Sequence, residues 1–71
     1  MTDTFYKQHN ATFFKGKHAR VLRTLHNGRN DVIRKNSIVI IEKRYGGFGI
    51  KSRYAKKSIT RVQPKDIELV K

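Results

Sequence analysis

Short apolar runs punctuate this chain, each cut off after a few residues by glycine, asparagine, proline or a cluster of charge. Ala19 to Leu25 carries valine and leucines inside a basic frame, and the turn pair Asn27-Gly28 stops it, which predicts a first strand. Arg29 to Ser37 is polar except for Val32-Ile33 and reads as a loop holding one short extended piece. Ile38-Val39-Ile40-Ile41 is too short and too β-branched for a good helix. It leads through Glu42-Lys43-Arg44-Tyr45 to Gly46-Gly47 and on to Phe48-Gly49-Ile50-Lys51-Ser52-Arg53, the pattern of a β-hairpin. Ile59 to Val62 predicts another strand, Gln63-Pro64-Lys65-Asp66 a turn, and Ile67 to Val70 a closing strand. About five short strands and no convincing amphipathic helix predict an all-β chain, and a small barrel protects strand edges better than a flat sheet.

The hairpin can be sorted into faces. A two-residue Gly46-Gly47 loop sets Tyr45 opposite Phe48, Lys43 opposite Ile50, Glu42 opposite Lys51, Ile41 opposite Ser52 and Val39 opposite Tyr54. One face then collects Val39, Ile41, Tyr45, Phe48, Ile50 and Tyr54, with Lys43 as an awkward member that must snorkel at the tip. The other collects Glu42, Arg44, Lys51 and Arg53, and Gly49 leaves a gap where something could approach the backbone. A three-residue loop would mix the faces. The expected core includes Val21, Val39, Ile41, Ile50, Val62, Ile67 and Leu69.

Residues 1–18 hold Phe5, Tyr6, Phe13 and Phe14 without clear periodicity, then a turn at Lys15-Gly16-Lys17. They read as a partly flexible N-terminal arm whose Phe13 and Phe14 dock on a single domain spanning 19–71. A chain of 71 residues has no room for a second core.

Charge changes the picture most. Seventeen Lys and Arg against five Asp and Glu give a net charge of +12, which opposes compaction unless a polyanion is near. From Lys43 to Arg61 there are seven basic residues (Lys43, Arg44, Lys51, Arg53, Lys56, Lys57 and Arg61) and no acid. Alternation gathers Arg44, Lys51 and Arg53 on one sheet face, a geometry suited to lying along a phosphate backbone. The aromatics among them fall on the core face, with Tyr45 and Phe48 at the tip as the candidates to touch a groove or a base. Arg20, Arg23 and Arg29, with Lys15 and Lys17, form a second basic group whose side of the molecule the alternation does not fix.

The closing segment from Ile59 to Val70 resembles that of SH3-like small β-barrels, in which the turn before the last strand is usually a 3₁₀ piece. The order of strand, long loop, long hairpin, strand, short turn and strand over residues 19–70 is similar too. That resemblance implies a five-stranded barrel, a fold that hosts KOW-containing ribosomal and transcription proteins, Sm-like RNA binders, small archaeal chromatin proteins, peptide-binding modules and phage or plasmid accessory proteins. Fold alone does not choose among them.

The leading expectation is a sequence-tolerant nucleic-acid binder, with duplex DNA favoured over RNA because a rigid basic sheet suits a regular phosphate array. Its contacts are expected from Arg44, Lys51, Arg53, Lys56 and Lys57, with Lys43, Arg61, Tyr45 and Phe48 beside them. The competing expectation is an interaction module, of the phage or plasmid accessory kind, that docks on an acidic host or regulatory protein. Enzymatic chemistry is not expected: the five acids are scattered without paired carboxylates, and there is neither cysteine nor a nucleophile motif. His9, His18 and His26 lack metal-ligand spacing, Gly46-Gly47-Phe48-Gly49 lacks a P-loop ending, and Asn10-Ala11-Thr12 matches a glycosylation sequon by accident. No cofactor or metal is expected. The longest apolar run is four residues and the first residues lack the regions of a secretory signal, so a cytoplasmic or nucleoid-associated location is expected.

Overall fold

The computed structural model describes residues 1–26, 32–44, 46–52 and 57–70. Two short helices, α1 (Asp3–Gln8) and α2 (Ala11–Phe14), precede β1 (His18–Val21), β2 (Leu25–His26), β3 (Val32–Ile33), β4 (Ile38–Arg44), β5 (Phe48–Ser52) and β6 (Ser58–Val62). A 3₁₀ turn at Pro64–Asp66 leads into β7 (Ile67–Leu69). Five strands form one antiparallel sheet in the order β6-β5-β4-β1-β7, and β2 pairs with β3 in a two-stranded companion. Among the described residues the ladders do not close into a ring.

The β-rich character follows the expected pattern, and the helices are the departure from it. Thr2 caps α1 by accepting from Phe5 N at 3.1 Å, and Asn10 caps α2 by accepting from Phe13 N at 3.0 Å. The asparagine that matched a sequon is thus a helix cap. Phe5, His9 and Phe13, each four residues from the next, stack with ring centroids 4.3 and 4.1 Å apart, while Tyr6 and Phe14 meet Phe48 at 5.0 and 4.8 Å. Phe14 is fully buried, so the helices roof the core that β4 and β5 supply from below. Tyr6 also receives a hydrogen bond on its hydroxyl from Gly47 N at 3.0 Å, tying α1 to the hairpin turn.

The expected first strand is broken. β1 stops at Val21, residues 22–24 bend, and Leu25 starts the companion sheet. The bend has its own partners: Leu22 N donates to Asp66 O at 2.7 Å, and Val21 exchanges hydrogen bonds with Ser37 and Asn36. Val21 and Leu25 are both buried, and the bend between them lets Arg23, which an unbroken alternation would set on their side, stay exposed. Asn27-Gly28 and Arg29 lie outside the described residues.

The hairpin register also differs from the expected one. Arg44 pairs with Phe48 and Lys43 with Gly49, so the connection is residues 45–47 rather than two glycines. Gly46 and Gly47 both have positive φ, 60° and 117°. A Cβ at Gly47 would stand 2.9 Å from Val62 O and 3.1 Å from Arg61 C, a backbone approach only glycine permits. Below the tip the register shifts at Glu42, and Ile41 pairs with Ile50, Ile40 with Lys51 and Val39 with Ser52. This bulge repairs the parity that an odd loop disturbs. Val39, Ile41 and Ile50 therefore keep their core positions, whereas Lys43 and Arg44 exchange sides relative to expectation. Tyr45 and Tyr54 lie outside the described residues.

Val21, Val39, Ile41, Ile50, Val62 and Ile67 are buried as expected, and Leu69 is half-buried against them. Phe14, Ala19, Leu25, Ile33, Phe48 and Ile59 complete the buried set.

Candidate functional site

The outward face of the five-stranded sheet is built by the residues that alternate with this core. On β4 and β5 they are Ile38, Ile40, Lys43, Gly49 and Lys51, and on β1 they are His18 and Arg20. The Lys43 stem fills the space above Gly49, its Cγ lying 2.9 Å from where a Cβ would stand. The expected gap at Gly49 is thus occupied by the lysine that was expected to snorkel from the core face, and its aliphatic chain lies on the outward side of the sheet. Lys51 is exposed beside half-buried Ile40.

Lys15 joins these two. Gly16 N donates to Ile41 O at 2.8 Å and Ile41 N to Lys17 O at 2.9 Å, so the segment after α2 runs alongside the bulge. Lys15, Gly16, Ile40, Ile41, Glu42 and Lys51 line a shallow depression of about 230 Å³. Glu42, pushed out by the bulge, is the carboxylate on its rim. Among the described residues neither Glu42 nor any of these lysines forms an ion pair.

Other expected contacts are placed elsewhere. Arg44 does not stand beside Lys51: it is half-buried on the helix side of the sheet, its guanidinium 4.1 Å over the Tyr6 ring and its Nη2 3.3 Å from Tyr6 O. Its Nε is buried without a hydrogen-bond partner among the described residues. Phe48 is fully buried and meets Tyr6 and Phe14 edge-on, so it belongs to the core and presents no ring to a base. Lys57 is exposed at the start of β6, with Nζ 3.4 Å from Val32 O. Arg61 is exposed on β6 with φ 59°, its backbone packed against Gly47 of the hairpin turn. Arg53, Lys56 and Tyr45 lie outside the described residues.

Two arginines of the second basic group are held by carboxylates. Arg20 pairs with Glu68 across β1 and β7. Arg23 grips Asp66 with two hydrogen bonds, Nε to Oδ1 at 2.6 Å and Nη2 to Oδ2 at 3.2 Å. Those bonds and the carboxylate charge raise Arg23 above the ordinary arginine value, so it stays cationic. Lys17 sits 4.5 Å over the Phe13 ring. Two of the five acids are thereby spent on arginines, while Lys43, Lys51 and Lys15 form no ion pair among the described residues, with Glu42 as the one carboxylate lining the depression beside Lys15 and Lys51.

Sequence reasoning missed Tyr6 as the group that claims Arg44, and it left open whether Lys15 stands beside the hairpin lysines. Nothing in strand alternation could reveal either, because both depend on where the N-terminal helices return to the sheet. Among the described residues no three metal-ligating side chains cluster, and no helix is long and apolar enough to cross a membrane. Searches of family models, curated proteins and solved structures give no match to this chain.

Proposed function

We propose that this chain is a small, non-enzymatic nucleic-acid-binding protein of SH3-like build that holds duplex DNA, with little regard to sequence, against the outward face of its sheet. The observation that carries the reading is the grouping of Lys43, Lys51 and Lys15 around the β4 bulge without ion-pair partners among the described residues. Lysines on a sheet, held at the stem and free at the ammonium, contact successive phosphates and release condensed counter-ions. The net charge of +12 supplies the long-range attraction. Ring stacking plays no part in the proposal, since Phe48 is buried and Tyr6 is occupied by Arg44. The SH3-like reading draws support from the strand order β6-β5-β4-β1-β7 and from the 3₁₀ turn before the last strand. A cytoplasmic or nucleoid-associated location accords with such a role.

A gel-shift series with duplex DNA, single-stranded DNA and duplex RNA at two salt concentrations tests it. Binding strongest to duplex DNA, equal across unrelated sequences and weakened steeply by salt is the expected result. Duplex binding only at very low salt, with retention by an acidic protein at physiological salt, would replace it by the protein-docking alternative.

A further inference from the structure

A cleft with many polar residues in its lining lies on a different part of the molecule, between β6 and the bend that joins β1 to β2. It encloses about 240 Å³ and is lined by Arg23, Thr24, His26, Thr60, Arg61 and Gln63 among others, with Asp66 at its wall. Two features of it bear on what it could hold.

The first is Arg61. Phe48 pairs with Val62 and Ile50 with Ile59, so Thr60 and Arg61 together oppose the single residue Gly49. This bulge holds Arg61 in the left-handed region, with φ 59°. Glycine or asparagine would adopt that conformation with less strain. A long cationic side chain held at a strained bulge beside a cleft is the situation in which strain points to function.

The second is Arg23. Its partner Asp66 is buried at 3% exposure, whereas the Arg23 side chain is 64% exposed. Asp66 is itself fixed, its N donating to Gln63 O at 3.0 Å and its O accepting from Leu22 N at 2.7 Å. The carboxylate thus holds the guanidinium by two of its five N–H groups and leaves the others to face outward in a set orientation. An arginine held in this way has already given up much of the freedom that binding would otherwise remove.

We propose that this cleft is a seat for one phosphate group, clamped between the outward donors of Arg23 and the guanidinium of Arg61. Asp66 is a positioning residue, and Thr24, Thr60 and Gln63 offer neutral hydrogen-bond partners around the anion. Because Asp66 is already satisfied by Arg23, its charge does not repel the ligand as a lone carboxylate would. The phosphate can come from a nucleic-acid backbone or from a free phosphate, and the chemistry recognised is the same. The seat is built from other residues than Lys15, Lys43 and Lys51, so either site can fail without the other.

The test is a titration of the isotope-labelled whole chain followed by NMR, at constant ionic strength maintained with chloride. Inorganic phosphate and a short duplex DNA without terminal phosphates are the two probes. Saturable shifts of the amides of residues 23–26 and 60–63 on adding phosphate are expected. Arg61→Gly and Arg61→Asn, which suit the bulge and keep the fold, should weaken phosphate binding by about ten-fold or more, as expected when a charge-assisted hydrogen bond is removed. Duplex DNA that moves the same amides identifies a backbone phosphate as the ligand, and phosphate that moves them alone identifies a free one. Shifts that never saturate, or unchanged affinity in folded Arg61→Gly, overturn the proposal. Perturbation confined to Lys43 and Lys51 overturns it as well while leaving the sheet-face reading intact.

Discussion

Replacing Arg44 by Ala should destabilise the fold and leave DNA binding untouched, the opposite of what its place in a basic hairpin suggests. The guanidinium lies 4.1 Å over the Tyr6 ring, and a partly desolvated cation–π contact of this kind contributes roughly 1–2 kcal/mol. Its Nη2 bond to Tyr6 O, long at 3.3 Å, adds about 1 kcal/mol. Against these stands the unpartnered Nε, whose burial costs about 1 kcal/mol and is relieved by the substitution. The net loss is about 1–2 kcal/mol, which for a 71-residue chain lowers the melting temperature by roughly 5–15 °C. Arg44→Lys should recover only part of it, because an ammonium lacks the flat guanidinium that covers the ring. Thermal unfolding followed by circular dichroism measures the first effect, and duplex-DNA affinity across a salt series measures the second. An Arg44→Ala protein of unchanged stability whose slope of log affinity against log salt drops by about 0.9 would refute the reasoning and restore Arg44 as a phosphate contact.

Two further sets of substitutions probe how the hairpin and helices are held. Gly47→Ala sets a Cβ against the β6 backbone at 2.9 Å in addition to the strain of φ 117°, so it should cost about 2–4 kcal/mol in urea unfolding. Gly46→Ala, with φ 60° and no atom within 4 Å, should cost about 1 kcal/mol or less, and equal effects would contradict the close approach. Phe14→Ala removes the fully buried ring that seats both helices and should cost about 3–5 kcal/mol by the same assay. A loss below about 1 kcal/mol would mean that the helices add little to the core.

What the sequence made legible follows from where one physical rule acts alone. Period-two alternation placed Val39, Ile41 and Ile50 in the core because each sits in a strand with neighbouring strands on both sides. The same rule failed at Lys43 and Arg44, close to the tip, where loop length and bulge together set the parity. The mismatch was already visible as a lysine on an apolar face, which a bulge at Glu42 resolves. The helices were missed because each is too short to show an apolar stripe. Their readable signals were the caps Thr2 and Asn10 and the four-residue spacing of Phe5, His9 and Phe13. The basic character of the site was legible from composition. Which cations stay unpaired was not, since Glu68 and Asp66 reach Arg20 and Arg23 across more than forty residues of chain.

The central claim, that the outward face of the sheet holds duplex DNA, is tested most directly by the salt dependence of affinity in the double variant Lys43→Gln, Lys51→Gln. Glutamine keeps two of lysine's four methylenes, including the Cγ that lies nearest Gly49, so the cover over Gly49 and the fold survive while both charges go. The slope of log affinity against log salt should fall by up to about 2, at about 0.9 for each phosphate left without its lysine, and fall alike on unrelated sequences. A folded double variant with wild-type affinity and wild-type slope would contradict the claim.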